Sequence, residues 1–431
     1  MPATLDLNDF AKLLKPGMTV FVQGAASEPT ELVAALARES SACEGIRFIS
    51  MLLPGVNRRD YSALGPNASA TYFFVTPDIA PAIASGRARL LPLQYSQIIS
   101  YLQSGTKIDL ALIQASPPDT HGRCRLGLSV DFVPAVVDVA TTVIAEINHA
   151  APFPTDSATI AFDRIHYILP TSHVLIPYSA SGDSSEADAI ATAVATLIED
   201  GDVIQIGIGK VPNAVLKSLG RKRDLGIHSG MITDPIMSLM KSGVITGVRK
   251  SIDRNKVVTG LALGSQELYD FSAQRDDVAF RPVDYTHNVG IIAQIDNFVA
   301  VNSAIEVDLF GQVNSEGIGG RQFAGIGGLA DFARGAQLSR GGRSIFALAA
   351  TSNRGTNSRI VPTFGPHQAA TISRSDTDFV VTEFGVADLR RRSADERAQA
   401  LIAVAAPSFR KSLEDAWDRT RRAQFEIAGR T

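Results

Sequence analysis

The stretch "DVIQIGIGKVPNAVLKSLG" (202–220) decides the fold class. Its opening, "DVIQIG", is a short run of mostly β-branched side chains and reads as a buried strand. A glycine turn follows, and "PNAVLKSLG" (212–220) reads as a helix opened by Pro212, whose missing N–H costs nothing there. The same order occurs earlier, where "TVFVQG" (19–24) reads as a strand and "PTELVAALARES" (29–40) as a helix. Gly24 precedes Pro29 by five residues and Gly207 precedes Pro212 by five, with Gln23 and Gln205 at matching strand ends. Short Val/Ile-rich runs alternate with longer Ala/Leu-rich amphipathic stretches along nearly the whole chain. That alternation predicts an α/β fold with largely parallel sheets. The echo predicts two related open α/β halves.

The chain has 431 residues, more than one small core accommodates, so two domains are expected. The segment "YSASGDSSEAD" (178–188) is small, polar and turn-forming, which places a first domain at 1–180 and a second at 186–431. Ser185 with Asp188 predicts a capping box, and Ile190, Val194, Leu197 and Ile198 follow as a helical apolar stripe. Ser393 with Glu396 predicts a second helix start.

The net charge of −3 gives no electrostatic reason to expect nucleic acid or an anionic membrane as partner. Cys43 and Cys124 are too few for a disulfide framework or a Cys-built zinc site. The early acids in "MPATLDLNDFAKLLKPG" are unlike a secretory signal, and no uncharged apolar run is long enough to span a bilayer. A cytoplasmic location is expected.

Two carboxylates interrupt an otherwise apolar run in "AIEVDLF" (304–310). In a strand, Glu306 and Asp308 share one face while Val307 and Leu309 share the other. Either this is the solvated face of an edge strand, or one acid does chemistry beside the glycine-rich segment that follows. Glycine clusters stand at 207–210 ("GIGK"), 317–320 ("GIGG") and 325–335 ("GIGGLADFARG"). Each alone reads as a turn. Together, beside an acid-bearing strand, they favour a site that holds a thioester or carboxylate oxygen through main-chain donors. The P-loop and dinucleotide patterns both fail on spacing. The seven histidines show no metal-ligand spacing, so no metal site is expected, and His228 reads as a hydrogen-bonded structural residue. A buried carboxylate can attack an activated acyl group when held dry and aligned.

The segments "NSAIEVDLFGQVNSE" (302–316), "GIGGLADFARGA" (325–336), "SRIVP" (358–362) and "VVTEFGVADLRRRSADERAQALIAVAAPSFR" (380–410) closely resemble the acetyl-CoA hydrolase/transferase family. That family includes acetate-, butyrate- and 4-hydroxybutyrate-CoA transferases. Similar blocks at 93–98, 121–131, 201–219 and 224–234 extend the likeness over nearly the whole chain. The resemblance implies two similar open α/β domains with the active site in the cleft between them. It implies that Glu306 attacks an acyl-CoA thioester, giving an acyl–glutamyl anhydride and then a glutamyl–CoA thioester. It further implies that Gly325, Gly327, Gly328 and Asp331 line the CoA and acyl site, and that Gly207 and Gly209 border the same cleft. Oxyanion donors are expected from Gly207, Gly209, Gly327 and Gly328. Coenzyme A enters as substrate, no cofactor is tightly bound, and the partners are an acyl-CoA and a carboxylate. A homo-oligomer is left open.

The chain departs from the family pattern at three places. Leu329 stands where relatives usually carry glutamine, Gly230 stands where they commonly carry an acid, and "PTFGPHQAATISR" (362–374) differs from the usual run. CoA transfer between a short-chain acyl-CoA and a carboxylic acid is the leading reading. Acyl-CoA hydrolysis on the same scaffold and a non-catalytic CoA-binding relative stay open.

Overall fold

The computed structural model describes residues 1–179, 184–352 and 355–426. Two large sheets dominate. The first runs in spatial order Ala88–Leu90, Ser69–Tyr72, Arg47–Ser50, Thr19–Val22, Leu110–Ala115, Thr142–Asn148 and Tyr167–Thr171, with Ala3–Thr4 at the far edge. The second runs Val278–Phe280, Gly226–Ile232 beyond Val257–Ala262, then Val203–Ile206, Phe298–Ser303, Arg343–Ala347 and Phe379–Thr382. In both, the first long strand lies in the middle. The next three step outward on one side, and the chain then returns to build the other side. These strands pair in parallel throughout, as expected for βα crossovers. The final hairpin strand, Gly385–Asp388, is antiparallel.

The shared strand order bears out the reading of two related halves, although Thr19–Val22 and Val203–Ile206 end differently in detail. Gln23 follows its strand, whereas Gln205 lies within its own. Pro29 is the N-cap of helix Thr30–Arg38, while Pro212 is the third residue of helix Lys210–Ser218. Both prolines fall where the first-turn N–H groups lack an intrahelical acceptor, so either position is tolerated. The helix expected to start with Ser185 and Asp188 is instead capped by Ser184, whose hydroxyl accepts from the Ala187 N–H at 3.2 Å. The Ser393–Glu396 capping box is present with both of its bonds. Of the proposed linker, residues 180–183 lie outside the described residues.

The halves interlock. Asp156–Ser157, from the first half of the sequence, adds a parallel strand beside Val278–Phe280 in the second sheet. Lys256 and Arg281 of the second sheet both pair with Asp156, at 3.0 and 2.6 Å. The Val130 N–H donates to the Gly260 carbonyl and the Ala262 N–H to the Leu128 carbonyl, stitching a connecting segment of the first half to the second sheet through backbone. One buried apolar cluster runs from Phe21 and Ile113 of the first sheet to Ile204 and Phe280 of the second. Among the described residues, no helix is long and apolar enough to cross a membrane.

A further bridge joins Asp331, on helix Leu329–Leu338, to Ser96 in the first half: the carboxylate accepts from Ser96 Oγ at 2.5 Å and from the Ser96 N–H at 3.2 Å. Asp331 is 1% exposed, and burial pushes its carboxyl from the ordinary 3.8 up to about 6, opposed by the two Ser96 bonds. Between those values the folded chain keeps a proton that the unfolded chain has lost, so this group's contribution to stability falls as pH rises through the window. Wild type should therefore lose, relative to Asp331→Asn, on the order of 2–3 kcal/mol between about pH 4 and pH 6. Denaturant midpoints of both proteins across that range check the difference, and parallel curves would refute it.

Candidate active site

Parallel α/β sheets bind ligands where the strand order reverses, just beyond the carboxyl ends of the strands. In each half that point carries an amide side chain. In the first, Gln23 Nε2 donates to the Ser129 carbonyl at 2.8 Å, and its Oε1 accepts from the Gln114 N–H at 2.8 Å. In the second, Gln205 and Asn302 exchange two bonds at 3.2 and 3.0 Å across the two innermost strands. Past Gln205 and Asn302 opens a cleft of about 270 Å³, walled by both halves. Leu53, Phe74 and Tyr95 come from the first half; Gly207, Gly230, His287 and residues 324–329 come from the second.

The glycine loop at 325–328 is built against the first half. A Cβ on Gly325 would stand 2.1 Å from the Phe73 carbonyl oxygen, which only glycine avoids. Gly327 has φ +63°, and its carbonyl accepts from the Tyr95 N–H at 3.1 Å. A Cβ on Gly328 would lie 2.3 Å from His287 Cδ2, so this glycine makes room for an imidazole rather than for a ligand. His287 is buried at 3% exposure, stacked on Tyr95 with centroids 4.7 Å apart and tilted against Phe332 at 4.6 Å. Its Nδ1 shares a 2.9 Å bond with Thr286 Oγ1. Burial first, then the neighbouring His228, pushes it down to about 3, so the ring is neutral. His228 is fully buried, and its Nε2 lies 3.0 Å from the Thr286 carbonyl, in keeping with a structural role.

Glu306 sits on Glu306–Asp308, the middle strand of a small sheet between Val313–Asn314 and Ile360–Val361. It is not on an edge. At 9% exposure its carboxylate accepts a 2.6 Å bond from Gln368 Nε2, and Gln368 Oε1 in turn accepts from the Gly365 N–H at 2.5 Å. Burial raises the Glu306 carboxyl above its ordinary value, while the Gln368 bond and the charge of Arg359 oppose the shift. Asp308 does something different. It accepts from the Phe310 and Gln312 N–H groups at 3.1 and 2.9 Å and from Gln312 Nε2 at 2.7 Å, closing the turn after the strand.

The predicted residues therefore divide. Gly207, Gly325, Gly327 and Gly328 line the one cleft, together with Ser303, three residues before Glu306, and Ser315, just after the Val313–Asn314 strand; Glu306 itself is not among the residues that line it. Gly209 does not. It is the N-cap of helix Lys210–Ser218 with φ +120° and borders a small neighbouring hollow beside Asn213 and Asp234. Asp331 lies outside the cleft, committed to Ser96. The Gly207 N–H donates to the Val301 carbonyl at 3.2 Å, and Gly327 bridges to Gln94, so the ladder and the bridge occupy their backbone groups. Of the four expected oxyanion donors this leaves Gly328, the N-cap of Leu329–Leu338, as the one that both lines the cleft and heads a helix. His287 and Gln368 were not legible as site residues in sequence. Neither sits in a recognisable spacing, and each meets its neighbours only through long-range packing. Among the described residues no group of His, Cys, Asp and Glu could hold a metal ion.

The clash geometry gives a direct check on the loop. Gly328→Ala should destabilise the protein strongly in the wild-type background and by roughly 1–3 kcal/mol less in a His287→Ala background, because the two side chains compete for one space. Denaturation of the two single variants and the double variant measures the coupling. Strict additivity would show that the glycine has another reason.

Two family models match the chain: the acetyl-CoA hydrolase/transferase N-terminal domain over residues 4–178 and the C-terminal domain over residues 264–417. The 4-hydroxybutyrate coenzyme A transferase of Clostridium kluyveri is 39% identical over 390 residues, covering 90% of this chain and 91% of that protein. The succinyl-CoA:cyclohexane-1-carboxylate CoA transferase of Geobacter metallireducens is 34% identical, covering 96% and 94%. Among solved structures, RipA from Yersinia pestis superposes with a TM-score of 0.89 at 31% identity, over 97% of this chain and all of that one (100%). With both domain models matched and relatives aligned from end to end, the chain belongs to the acetyl-CoA hydrolase/transferase family, on its CoA-transferase side.

Proposed function

We propose that this enzyme moves CoA between an acyl-CoA and a free carboxylic acid by ping-pong covalent catalysis through Glu306. The observation that carries the reading is a buried carboxylate with one side-chain donor, three residues along the chain from Ser303, which lines the cleft. A carboxylate so placed is desolvated, and its raised pKa makes it a stronger base and nucleophile than a hydrated glutamate.

The chemistry balances without any further reagent. A Glu306 oxygen adds to the thioester carbonyl carbon and the C–S bond breaks, leaving an acyl–glutamyl anhydride and CoA thiolate. The thiolate adds to the Glu306 carbonyl carbon, and the acyl group leaves as a free carboxylate. A second carboxylate attacks the glutamyl–CoA thioester, giving a new anhydride and releasing thiolate. Thiolate then attacks the new acyl carbon and regenerates Glu306. Each tetrahedral intermediate carries an oxyanion, for which the Gly328 N–H at a helix N-terminus supplies a fixed donor. Gln368 holds one Glu306 oxygen and leaves the other for attack. The apolar cleft keeps water from the anhydride, which separates transfer from hydrolysis.

Glu306→Ala should lose nearly all turnover yet fold and bind CoA, whereas Asp308→Asn should lose less, since it closes a turn. Incubated with acyl-CoA and no acceptor, wild type should accumulate CoA on the peptide containing Glu306, seen by mass spectrometry. Steady CoA release without acceptor, as fast as with one, would make the protein a hydrolase.

Gln368 has its own signature. Its bond favours the ionised carboxylate, so Gln368→Leu should push the Glu306 pKa still higher. Because the nucleophile is the ionised form, activity rises with pH, and the acid limb of kcat/KM should move to higher pH in the variant. An acid limb in the same place would reduce Gln368 to a structural contact.

A further inference from the structure

We propose that the cleft selects an acyl group whose body is apolar and branched or cyclic and which carries no second charged terminus; this rests on the CoA-transfer reading of the cleft. No Asp, Glu, Lys or Arg side chain lines it among the described residues. Its polar side chains are mostly committed elsewhere. Gln205 and Asn302 satisfy each other, and His287 is a neutral ring tied to Thr286 and sandwiched between aromatics. At Gly230 the wall carries no side chain, and a Cβ there would come within 2.9 Å of His287. Most of the remaining side-chain surface is apolar, with Phe74, Tyr95, Met231, Leu261, Leu329 and Phe332 prominent, and the hydroxyls of Ser229, Ser303 and Ser315 are uncharged.

A second carboxylate brought into such a cleft would lose its water and meet no cation, a heavy penalty for a charge. A terminal hydroxyl would lose less and could still meet Ser303 or Ser315 on the wall, so it is disfavoured only weakly. Size points the same way. The 270 Å³ of the cleft is many times the roughly 10–15 Å³ that a single water needs on the same measure. An acetyl group leaves most of that space without contact, whereas a six-membered carbocycle reaches the aromatic walls and gains dispersion from them.

The test uses the full-length enzyme with acetyl-CoA as donor and four acceptors: cyclohexanecarboxylate, isobutyrate, 4-hydroxybutyrate and succinate. Cyclohexanecarboxylate should exceed succinate in kcat/KM by at least about 100-fold and 4-hydroxybutyrate by about 10-fold, since apolar pockets reject a hydroxyl only weakly. Isobutyrate should fall between the ring acid and succinate. Succinate or 4-hydroxybutyrate equal to or better than the ring acid would overturn the inference while leaving CoA transfer intact. Failure to transfer to any of the four acids would instead overturn the CoA-transfer reading, and this inference with it. In Leu329→Gln, which places an amide on the same wall, the preference for the ring acid over 4-hydroxybutyrate should shrink about tenfold. An unchanged ratio in a folded Leu329→Gln protein would show that the acyl body lies elsewhere and would equally overturn the proposal.

Discussion

The glycine loop at 325–328 is the contact on which the rest of the site depends. It leaves the Glu306 hairpin region, presses against the Phe73 carbonyl and the Tyr95 N–H of the other half, and turns directly into helix Leu329–Leu338. Three separate steric limits act within four residues: a carbonyl oxygen at 325, a left-handed backbone at 327 and a buried imidazole at 328. Because each limit is backbone or buried ring, none can yield cheaply. The Ser96–Asp331 bridge then fixes the helix that the loop begins. The cleft has its shape because two halves are locked at this seam.

That seam explains why glycine clusters were informative for location and less so for role. Main-chain approach to a ligand and main-chain approach to a protein neighbour make the same demand on sequence, the absence of a Cβ. At Gly325 and Gly328 the neighbour is protein. The helix N-terminus headed by Gly328 nevertheless lines the cleft, so one element serves both the seam and the cleft wall.

The two sheets repeat one strand order, but Glu306 belongs to neither. Glu306 rides on a three-stranded addition that follows the Phe298–Ser303 strand of the second sheet, and the first half has no such addition beside its matching strand Leu110–Ala115. The halves thus contribute unequally. The first supplies wall and seam through Phe73, Phe74, Tyr95 and Ser96, and the second carries Glu306 with its donor Gln368.

Sequence by itself determined the parallel α/β class, the duplication and the pair of acids on one face of the Glu306 strand. These are carried by local signals: strand runs of Val and Ile, the spacing from Gly24 to Pro29 repeated from Gly207 to Pro212, and two acids interrupting an apolar strand. Tertiary structure alone decided which acid is free, since Asp308 is consumed by the Phe310–Gln312 turn while Glu306 keeps one donor from a loop 62 residues away. It also decided that Asp331 binds Ser96 across 235 residues, that Gly209 faces away from the cleft, and that His287 fills the space vacated at Gly230 and Gly328. The reason is physical. Periodicity and turn chemistry act over a few residues and are written along the chain, whereas burial, stacking and hydrogen-bond competition depend on groups brought together only when two halves close on each other.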